Sequence, residues 1–325
     1  MPHPATHAAT QPDAHAMQCM EVWGGFGTVD TGVMMPGVDA WVFGIPYKQA
    51  AEGGDVHLAS SCGTGRITRM LLADVSGHGV KVAAIASQLR GLMRRYVNHI
   101  EQGEFLARTN REFTELATEG LFATAVALTY FAPTGTLSIA RAGHPRPLLY
   151  SKKRDTWRLM TEDADRADGA PSGLPLGVLA ESTFPAVKLR TQPGDLVVLY
   201  SDALIEARLK NGTMLGSDGL LAVAQSLTDL PGPQLAEGLY KRVLELTGES
   251  HLDDDVTIVV LRPNGERTQA PFIQRAIAGV KFLAQLAASA FGGPTPPWPE
   301  RSRANVLGAI IPAFARQPLE NAAEI

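Results

Sequence analysis

Residues 71–89 read LLADVSGHGVKVAAIASQL, an apolar run that ends in an aspartate, followed by a Gly-His-Gly turn and a helical pattern. The apolar residues before Asp74 predict a buried strand, and Asp74 stands where that strand has to turn. A buried carboxylate costs free energy unless it is paired or binds a cation. Asp74 therefore needs a partner from elsewhere in the chain.

The residues after this turn predict an amphipathic helix of about 20 residues packed on a sheet. Apolar side chains recur at helical spacing from Val82 to Val97, with three arginines between them. Gly77 and Gly79 allow the backbone to bend sharply between the strand and the helix. His78, which lies between these glycines, has two interpretations, a cap of the helix or an acid or ligand at a site.

The composition is that of a globular protein without a nucleic-acid footprint. Of the 325 residues, 45% are hydrophobic and 19% are charged, and the net charge is −4. A chain of this length can bury a sizeable core, and its charge gives no sign of nucleic-acid binding. Two cysteines make neither a four-ligand zinc site nor a disulfide framework, and no signal peptide is recognisable, so we expect a cytoplasmic protein.

Strand patterns occur in runs and helical patterns in pairs, which favours the α+β class with largely antiparallel sheets. FATAVALTYF and TLSIARAGH, separated by APTG, predict a hairpin. Further helices are predicted over residues 105–117, 217–226 and 233–246. We divide the chain into a disordered tail (1–18), one compact domain (19–263) and a C-terminal segment (264–325).

The C-terminal segment contains an amphipathic helix, predicted over residues 272–291. Two charges and two glutamines interrupt its apolar run, which is too polar for a membrane span. GGPTPPWP then predicts a stiff linker before a loose tail. The apolar face of the helix needs a cover, and the candidates are the domain's own surface, a second copy of the chain, a partner protein or a membrane surface.

Four aspartates stand at predicted strand or turn boundaries. Asp55 ends GGD, Asp74 ends LLAD, Asp202 ends VVLYSD, and Asp254 lies in HLDDD before VTIVVL. Any one of them alone is more typical of a turn former or a helix cap. Carboxylates gathered at one end of a sandwich repel one another unless cations lie between them, and Mg²⁺ and Mn²⁺ prefer oxygen ligands. We therefore predict a metal site at which the carbonyl of Val75 adds a further oxygen.

Eight motifs follow one another in order over residues 19–262. They are GGD, ADVSGHG, FATA, ARAGHPRPLLY, GLPLGV, GDLVVLYSDALIEA, NGTMLGSDGL and DDDVTIVVLR. As an ordered set they resemble the SpoIIE/RsbU branch of the metal-dependent serine/threonine phosphatases, the protein phosphatase 2C-like family. The resemblance implies a four-layer α-β-β-α sandwich with two ions, Mn²⁺ or Mg²⁺, between the sheets. It implies that Asp74 bridges both ions and that Asp55, Asp202 and Asp254 complete the ligand set.

The same resemblance implies a function. The expected activity is hydrolysis of phosphoserine or phosphothreonine by a hydroxide held between the two ions, with Asp74 and Asp202 as the catalytic residues. The expected substrate is a STAS-domain regulator of a partner-switching pathway, and neither nucleic acid nor a membrane-spanning segment is expected. Two other functions stay open, a catalytically silent partner-switching scaffold of the same fold and a hydrolase of small phosphate esters.

Three positions depart from the family pattern. Leu58 stands where the pattern GGDFYD has a second carboxylate. Ala203 replaces the glycine of SDG, which would strain the backbone if position 203 needs a positive φ. Asp253, Asp254 and Asp255 are adjacent, and the DDxT register favours Asp254 as the ligand, with Asp255 as the alternative.

Overall fold

The computed structural model of the chain describes residues 14–17, 21–50, 53–62, 65–77, 79–97, 99, 101–117, 120–161, 173–266 and 323–324. The strands are β1 (Ala14–Ala16), β2 (Val22–Gly25), β3 (Val29–Met35), β4 (Val38–Ile45), β5 (Asp55–Ser61), β6 (Ile67–Val75), β7 (Ala123–Phe131), β8 (Thr136–Ala142), β9 (Leu148–Ser151), β10 (Thr156–Leu159), β11 (Ala186–Arg190), β12 (Leu196–Tyr200), β13 (Val256–Pro263) and β14 (Ala323–Glu324). The helices are α1 (Val80–Tyr96), α2 (Gln102–Leu116), α3 (Ala203–Glu206), α4 (Gly216–Ser226) and α5 (Gly232–Thr247).

The strands form two seven-stranded sheets. The first sheet has the order β1-β3-β4-β13-β12-β9-β10, and the second sheet has the order β14-β11-β8-β7-β6-β5-β2. Neighbouring strands pair antiparallel, apart from the short strands β1 and β14, which pair parallel with β3 and β11. The body of both sheets is therefore antiparallel, as the runs of strand patterns predicted.

Apolar side chains on both faces of the sheets build the layers. On β6, Leu72 packs between the two sheets with residues such as Val259, while its neighbour Leu71 packs against α1 and α2 with Phe105. Successive side chains of a strand point to opposite faces, so a strand buried on both faces is apolar throughout. Helices α3, α4 and α5 cover the outer face of the first sheet with residues such as Leu239. The result is the predicted four-layer α-β-β-α sandwich.

Local sequence patterns located most of the helices. Helices α2, α4 and α5 begin and end within three residues of their predicted bounds, and α1 follows the Gly-His-Gly turn as predicted. In the described part of the chain, no helix is long and apolar enough to cross a membrane.

The N-terminal segment differs from the predicted disordered tail over residues 1–18. Ala14–Ala16 form β1 and pair with β3 at the edge of the first sheet. His15 Nε2 lies 2.7 Å from Glu21 Oε1, and the imidazole stacks on Trp23 with 6.0 Å between ring centroids. Pairing with a distant strand orders this segment, which has no strand pattern of its own. Residues 1–13 and 267–322, including the predicted helix 272–291, lie outside the described residues.

Two helical glycines give a pair of stability predictions with opposite signs. A Cβ on Gly232 in α5 would lie 2.3 Å from Trp41 Cζ3, whereas a Cβ on Gly91 in α1 would meet nothing within 4 Å. We expect Gly232→Ala to lower the free energy of unfolding by about 1–3 kcal/mol, because the Trp41 ring has to move. Gly91→Ala should raise it by about 0.5–1 kcal/mol. Urea denaturation measures both changes, and a loss of stability in Gly91→Ala would contradict the second.

Candidate metal centre

Two aspartates of the second sheet lie directly opposite each other. Asp55 starts β5, Asp74 lies near the end of β6, and the antiparallel register pairs the two residues. Asp55 is 6% exposed, and neither of its carboxylate oxygens makes a hydrogen bond. Burial, followed by the charge of Asp74, raises the pKa of Asp55 well above its usual value. Thr257 and Ser201 lie near this carboxylate and offset part of the rise, without hydrogen-bond geometry to its oxygens.

Two more aspartates reach this cluster from the first sheet. Asp202 follows β12 and Asp254 precedes β13, and these two strands are antiparallel neighbours. Burial, followed by the charges of Asp202 and Asp254, raises the pKa of Asp74 well above its usual value. The carboxyl groups of Asp74 and Asp202 lie close together, and this proximity adds to the rise in the pKa of Asp74. The structure therefore brings the four predicted aspartates together, with Asp74 in contact with charges from both sheets.

The chemistry of this cluster fits hard divalent cations. Like charges directly opposite each other destabilise a sheet, and the buried oxygens of Asp55 need a counter-charge. The donors are all oxygens, which Mg²⁺ and Mn²⁺ prefer. Within the described ranges, no three His, Cys, Asp or Glu side chains converge tightly enough to hold one ion by themselves. Water would therefore have to complete the coordination of each ion, which is usual for Mg²⁺.

Asp255 has a structural role that the sequence did not predict. Its Oδ1 accepts a hydrogen bond from the Tyr47 N–H at 2.6 Å, and its Oδ2 accepts one from the Gly54 N–H at 2.5 Å. Both oxygens of this buried carboxylate therefore hold the loop between β4 and β5 against the start of β13. Asp254 is exposed and acts on Asp74 and Asp202 through its charge. Of the two alternatives, Asp254 remains the ligand that we propose.

The two glycines of GGD are required by close packing. A Cβ on Gly53 would lie 2.6 Å from both carboxylate oxygens of Asp255, and a Cβ on Gly54 would lie 2.9 Å from the Val75 carbonyl oxygen. Side chains at these positions would push the loop away from Asp255 and would move Asp55 with it. The Val75 carbonyl lies beside this loop, next to the cluster, where it could serve as the predicted backbone ligand.

Two of the departures from the family pattern, Leu58 and Ala203, leave the cluster undisturbed. Leu58 is 1% exposed and packs in the core between the second sheet and α1, three residues after Asp55 and on the opposite face of β5. It therefore does not stand in for a missing ligand. Ala203 starts α3 directly after Asp202, which has φ −66° and ψ −22°. Among the described residues, the non-glycine positions with positive φ are Lys48 and Asp155, so the strain considered for Ala203 does not arise.

The two serines closest in sequence to the aspartates are engaged with the backbone. Ser201 Oγ donates a hydrogen bond to the Asp255 carbonyl at 3.1 Å and accepts one from the Thr257 N–H at 2.9 Å. Ser76 Oγ accepts a hydrogen bond from the Phe122 N–H at 3.1 Å. Both hydroxyls thus support the strand ends instead of presenting a free nucleophile.

The turn after Asp74 has the predicted backbone geometry. Gly77 and Gly79 have φ values of +94° and +100°, in the region that favours glycine, and Gly79 caps the start of α1. His78, for which two roles stayed open, lies outside the described residues.

His144 is a buried residue beside the cluster that the sequence analysis did not single out. Its Nδ1 lies 2.9 Å from Thr124 Oγ1, and Thr124 is the register partner of Asp74. Burial lowers the pKa of His144 to about 3, and the charge of Arg141 adds to this shift. The imidazole is therefore neutral at pH 7. The sequence signal that could have identified His144 is the motif AGHP. Its histidine stands at the end of a predicted strand, as several of the aspartates do.

This neutral imidazole should make the fold sensitive to acid. The pKa of His144 is about 3 in the folded chain and 6.5 in its ordinary state, so the unfolded chain binds more protons between these values. Its stabilising contribution is complete above pH 6.5 and is lost as the pH falls, by up to about 1.4 kcal/mol per pH unit. Urea denaturation between about pH 7 and pH 4.5 should show a smaller loss for His144→Gln than for the unsubstituted chain. Equal losses would rule out this effect.

The family model for Stage II sporulation protein E (SpoIIE) matches residues 64–264, more than half of the chain. Among curated proteins, the phosphoserine phosphatase RsbU of Bacillus subtilis is 25% identical over 226 residues. The matched part makes up 69% of this chain and 63% of that relative, so the chain spans less than two thirds of its length.

Solved structures share the fold. The RsbU and RsbW domains of a Mycobacterium tuberculosis protein match with a TM-score of 0.60 and 23% identity, over 80% of this chain and 71% of that chain. The PP2C phosphatase domain of Bacillus subtilis SpoIIE, solved with a fragment of its regulatory domain, matches with a TM-score of 0.55 and 16% identity, over 69% and 63% of the two chains. These likenesses confirm the predicted fold, the protein phosphatase 2C-like sandwich.

Proposed function

The chain belongs to the SpoIIE family, and on this premise we propose that it is a metal-dependent phosphatase that hydrolyses phosphoserine or phosphothreonine on another protein. The observation that carries the proposal is the opposed pair Asp55 and Asp74, whose burial and like charge call for bound cations. Asp202 and Asp254 add the further carboxylates that a second ion needs.

Each residue of the cluster has a distinct task in this proposal. Asp74, which lies between carboxylates of both sheets, would contact both ions, and Asp55, Asp202, Asp254 and the Val75 carbonyl would supply the remaining protein oxygens. Two bound Mn²⁺ or Mg²⁺ ions would polarise a phosphoryl group and lower the pKa of an attacking water. Because the serine hydroxyls beside the cluster are hydrogen-bonded to the backbone, we propose direct hydrolysis without a phosphoserine on the enzyme.

We propose a phosphorylated regulatory protein of the STAS type as the substrate, in a partner-switching pathway in the cytoplasm. The support comes from the relatives. RsbU of Bacillus subtilis is named a phosphoserine phosphatase, and the Mycobacterium tuberculosis structure contains an RsbU domain together with an RsbW domain.

The alternative of a catalytically silent scaffold loses its support in the structure. That alternative was based on Leu58 and Ala203, two positions near the site at which the sequence differs from the family pattern. Leu58 packs in the core between the second sheet and α1. Ala203 is the first residue of α3 and directly follows Asp202. Neither residue therefore disturbs the four aspartates.

Purified full-length chain tests the proposal with two substrates, p-nitrophenyl phosphate and a STAS-domain protein phosphorylated on serine. We expect Mn²⁺ or Mg²⁺ to support hydrolysis of both, and we expect EDTA to abolish it. Turnover of the small ester but not of the phosphoprotein would favour the hydrolase of small esters. Binding of the STAS protein without turnover of either substrate, at saturating Mn²⁺, would favour the scaffold.

A further inference from the structure

Three large apolar side chains are exposed on two backbone segments that pair with each other near the carboxylate cluster. Phe122, Val178 and Leu179 are 39%, 52% and 37% exposed, and we call them the apolar rim. In the part of the chain that the structure describes, only one other large apolar residue, Met214, is exposed. Single exposed apolar residues are normal on a protein surface, but a grouping of this kind marks a binding surface.

The apolar rim adjoins the turn that follows Asp74. The Ser76 N–H donates a hydrogen bond to the Phe122 carbonyl at 2.9 Å, and the Phe122 N–H donates one to Ser76 Oγ. Ser76 is two residues from Asp74, and Phe122 is two residues from Thr124, the register partner of Asp74. Phe122 is therefore tied directly to the backbone that carries the proposed bridging ligand.

Backbone pairing places the other two rim residues beside Phe122. Ala123 and Leu176 exchange hydrogen bonds at 2.9 and 2.7 Å in an antiparallel bridge. The residues that precede Ala123 therefore run alongside those that follow Leu176, which brings Phe122 next to the segment containing Val178 and Leu179. All three rim residues therefore lie close to the start of β7, at the edge of the proposed active site.

A buried asparagine holds this surface in place. Asn110 of α2 is fully buried, and its Nδ2 donates hydrogen bonds to the carbonyls of Leu179 at 2.8 Å and Ala180 at 3.1 Å. Its Oδ1 accepts a hydrogen bond from the Gly177 N–H at 2.9 Å. Three hydrogen bonds with one buried side chain fix the loop. Val178 and Leu179 are therefore held at the surface by the fold itself. A surface ordered before binding loses less entropy when a partner docks.

We propose that the apolar rim binds apolar residues that flank the phosphoserine of a protein substrate, and this inference rests on the proposed function. Phe122 is hydrogen-bonded to Ser76, two residues from Asp74, so a phosphoprotein whose phosphate reaches the carboxylate cluster brings the residues next to its phosphate close to the rim. Burying apolar side chains there adds affinity in proportion to the area removed from water. The surface thus selects among phosphoproteins by the chemistry next to the phosphate.

Two short phosphoserine peptides test the inference. They have the same sequence except that the residues flanking the phosphoserine are leucine in one and serine in the other. With Mn²⁺ present, we expect the unsubstituted chain to hydrolyse the leucine-flanked peptide with a kcat/KM about tenfold higher. The double variant Val178→Ser, Leu179→Ser should lose this preference. The ratio of the two kcat/KM values isolates docking, because damage to the metal centre would lower both values alike.

Met214→Ser is the matched control, because Met214 is as exposed as Val178 but lies in the loop before α4, which packs on the first sheet. This variant should keep the tenfold preference. If thermal melting shows that the double variant does not fold, Phe122→Ser takes its place with the same expected loss of preference.

Each remaining outcome overturns the inference. If p-nitrophenyl phosphate is hydrolysed and the unsubstituted chain turns over both peptides equally, the inference fails and the proposed function stands. If p-nitrophenyl phosphate is hydrolysed but neither peptide is, the inference fails, and the assay with the phosphorylated STAS protein decides between the proposed function and the hydrolase of small esters. If a second copy or residues 267–325 already covered the rim, the two peptides would also be hydrolysed at equal rates. Light scattering would reveal the second copy. If p-nitrophenyl phosphate is not hydrolysed either, the proposed function fails as well.

Discussion

Asp74→Asn is expected to lower kcat by at least about a thousandfold while the chain stays folded. Asp74 lies opposite Asp55 and interacts with Asp202 and Asp254, so it is the carboxylate that both ions of the proposed centre would share. Asparagine keeps the size of the side chain but removes its charge. Calorimetric titration with Mn²⁺ should therefore also show weaker binding, which is a readout independent of turnover.

The same variant makes a second prediction about stability without metal. In the presence of EDTA, Asp74→Asn removes one of several crowded like charges, so its unfolding midpoint in urea should rise. Asp218→Asn, an exposed aspartate in the first turn of α4, is the control and should change neither turnover nor Mn²⁺ affinity. Near-normal turnover of Asp74→Asn at saturating Mn²⁺ would refute the two-ion centre.

Asp255→Ala is expected to lower the free energy of unfolding by about 3 kcal/mol. The substitution removes the acceptor of two charge-assisted hydrogen bonds and leaves the N–H groups of Tyr47 and Gly54 without their partner. Because Gly54 directly precedes Asp55, loosening of this loop should also weaken Mn²⁺ binding. Urea denaturation monitored by tryptophan fluorescence measures the loss.

The neighbouring aspartates provide the controls for this prediction. Asp253→Ala, at an exposed position of the same run, should change stability by less than about 0.5 kcal/mol. Asp254→Ala should reduce turnover with little loss of stability, because Asp254 is exposed and acts through its charge on the cluster. If Asp254→Ala proved the more destabilising of the two, the roles assigned to Asp254 and Asp255 would have to be exchanged.

The pattern of apolar residues along the chain was a reliable guide to the fold. The apolar runs around Leu71 and Val259 predicted buried strands, and helical spacing predicted α1, α2, α4 and α5. These signals are local, since a strand or helix carries its own period. Strand β1 has no such period, and its pairing with β3 could not be predicted from residues 14–16.

For the site, one feature could be predicted from the sequence and another could not. Leu58 is three residues from Asp55, and an odd spacing in a strand places two side chains on opposite faces, so its absence from the cluster was predictable. The separate roles of Asp254 and Asp255 could not be predicted. Asp255 accepts hydrogen bonds from residues 208 and 201 positions away in the chain, and no local pattern reveals such partners.

The sequence by itself determined that four aspartates end strands or turns, because each follows or precedes an apolar run whose period shows where the strand stops. Only the tertiary structure decided that Asp55 lies opposite Asp74 and that Asp202 and Asp254 approach them from the other sheet. It also decided that both carboxylate oxygens of Asp255 accept hydrogen bonds from backbone N–H groups. The physical reason is that strand pairing and the packing of two sheets join residues far apart in the chain. A shift of one residue in the register of β5 or β6 would turn the carboxylate of Asp55 or Asp74 to the other face of the sheet.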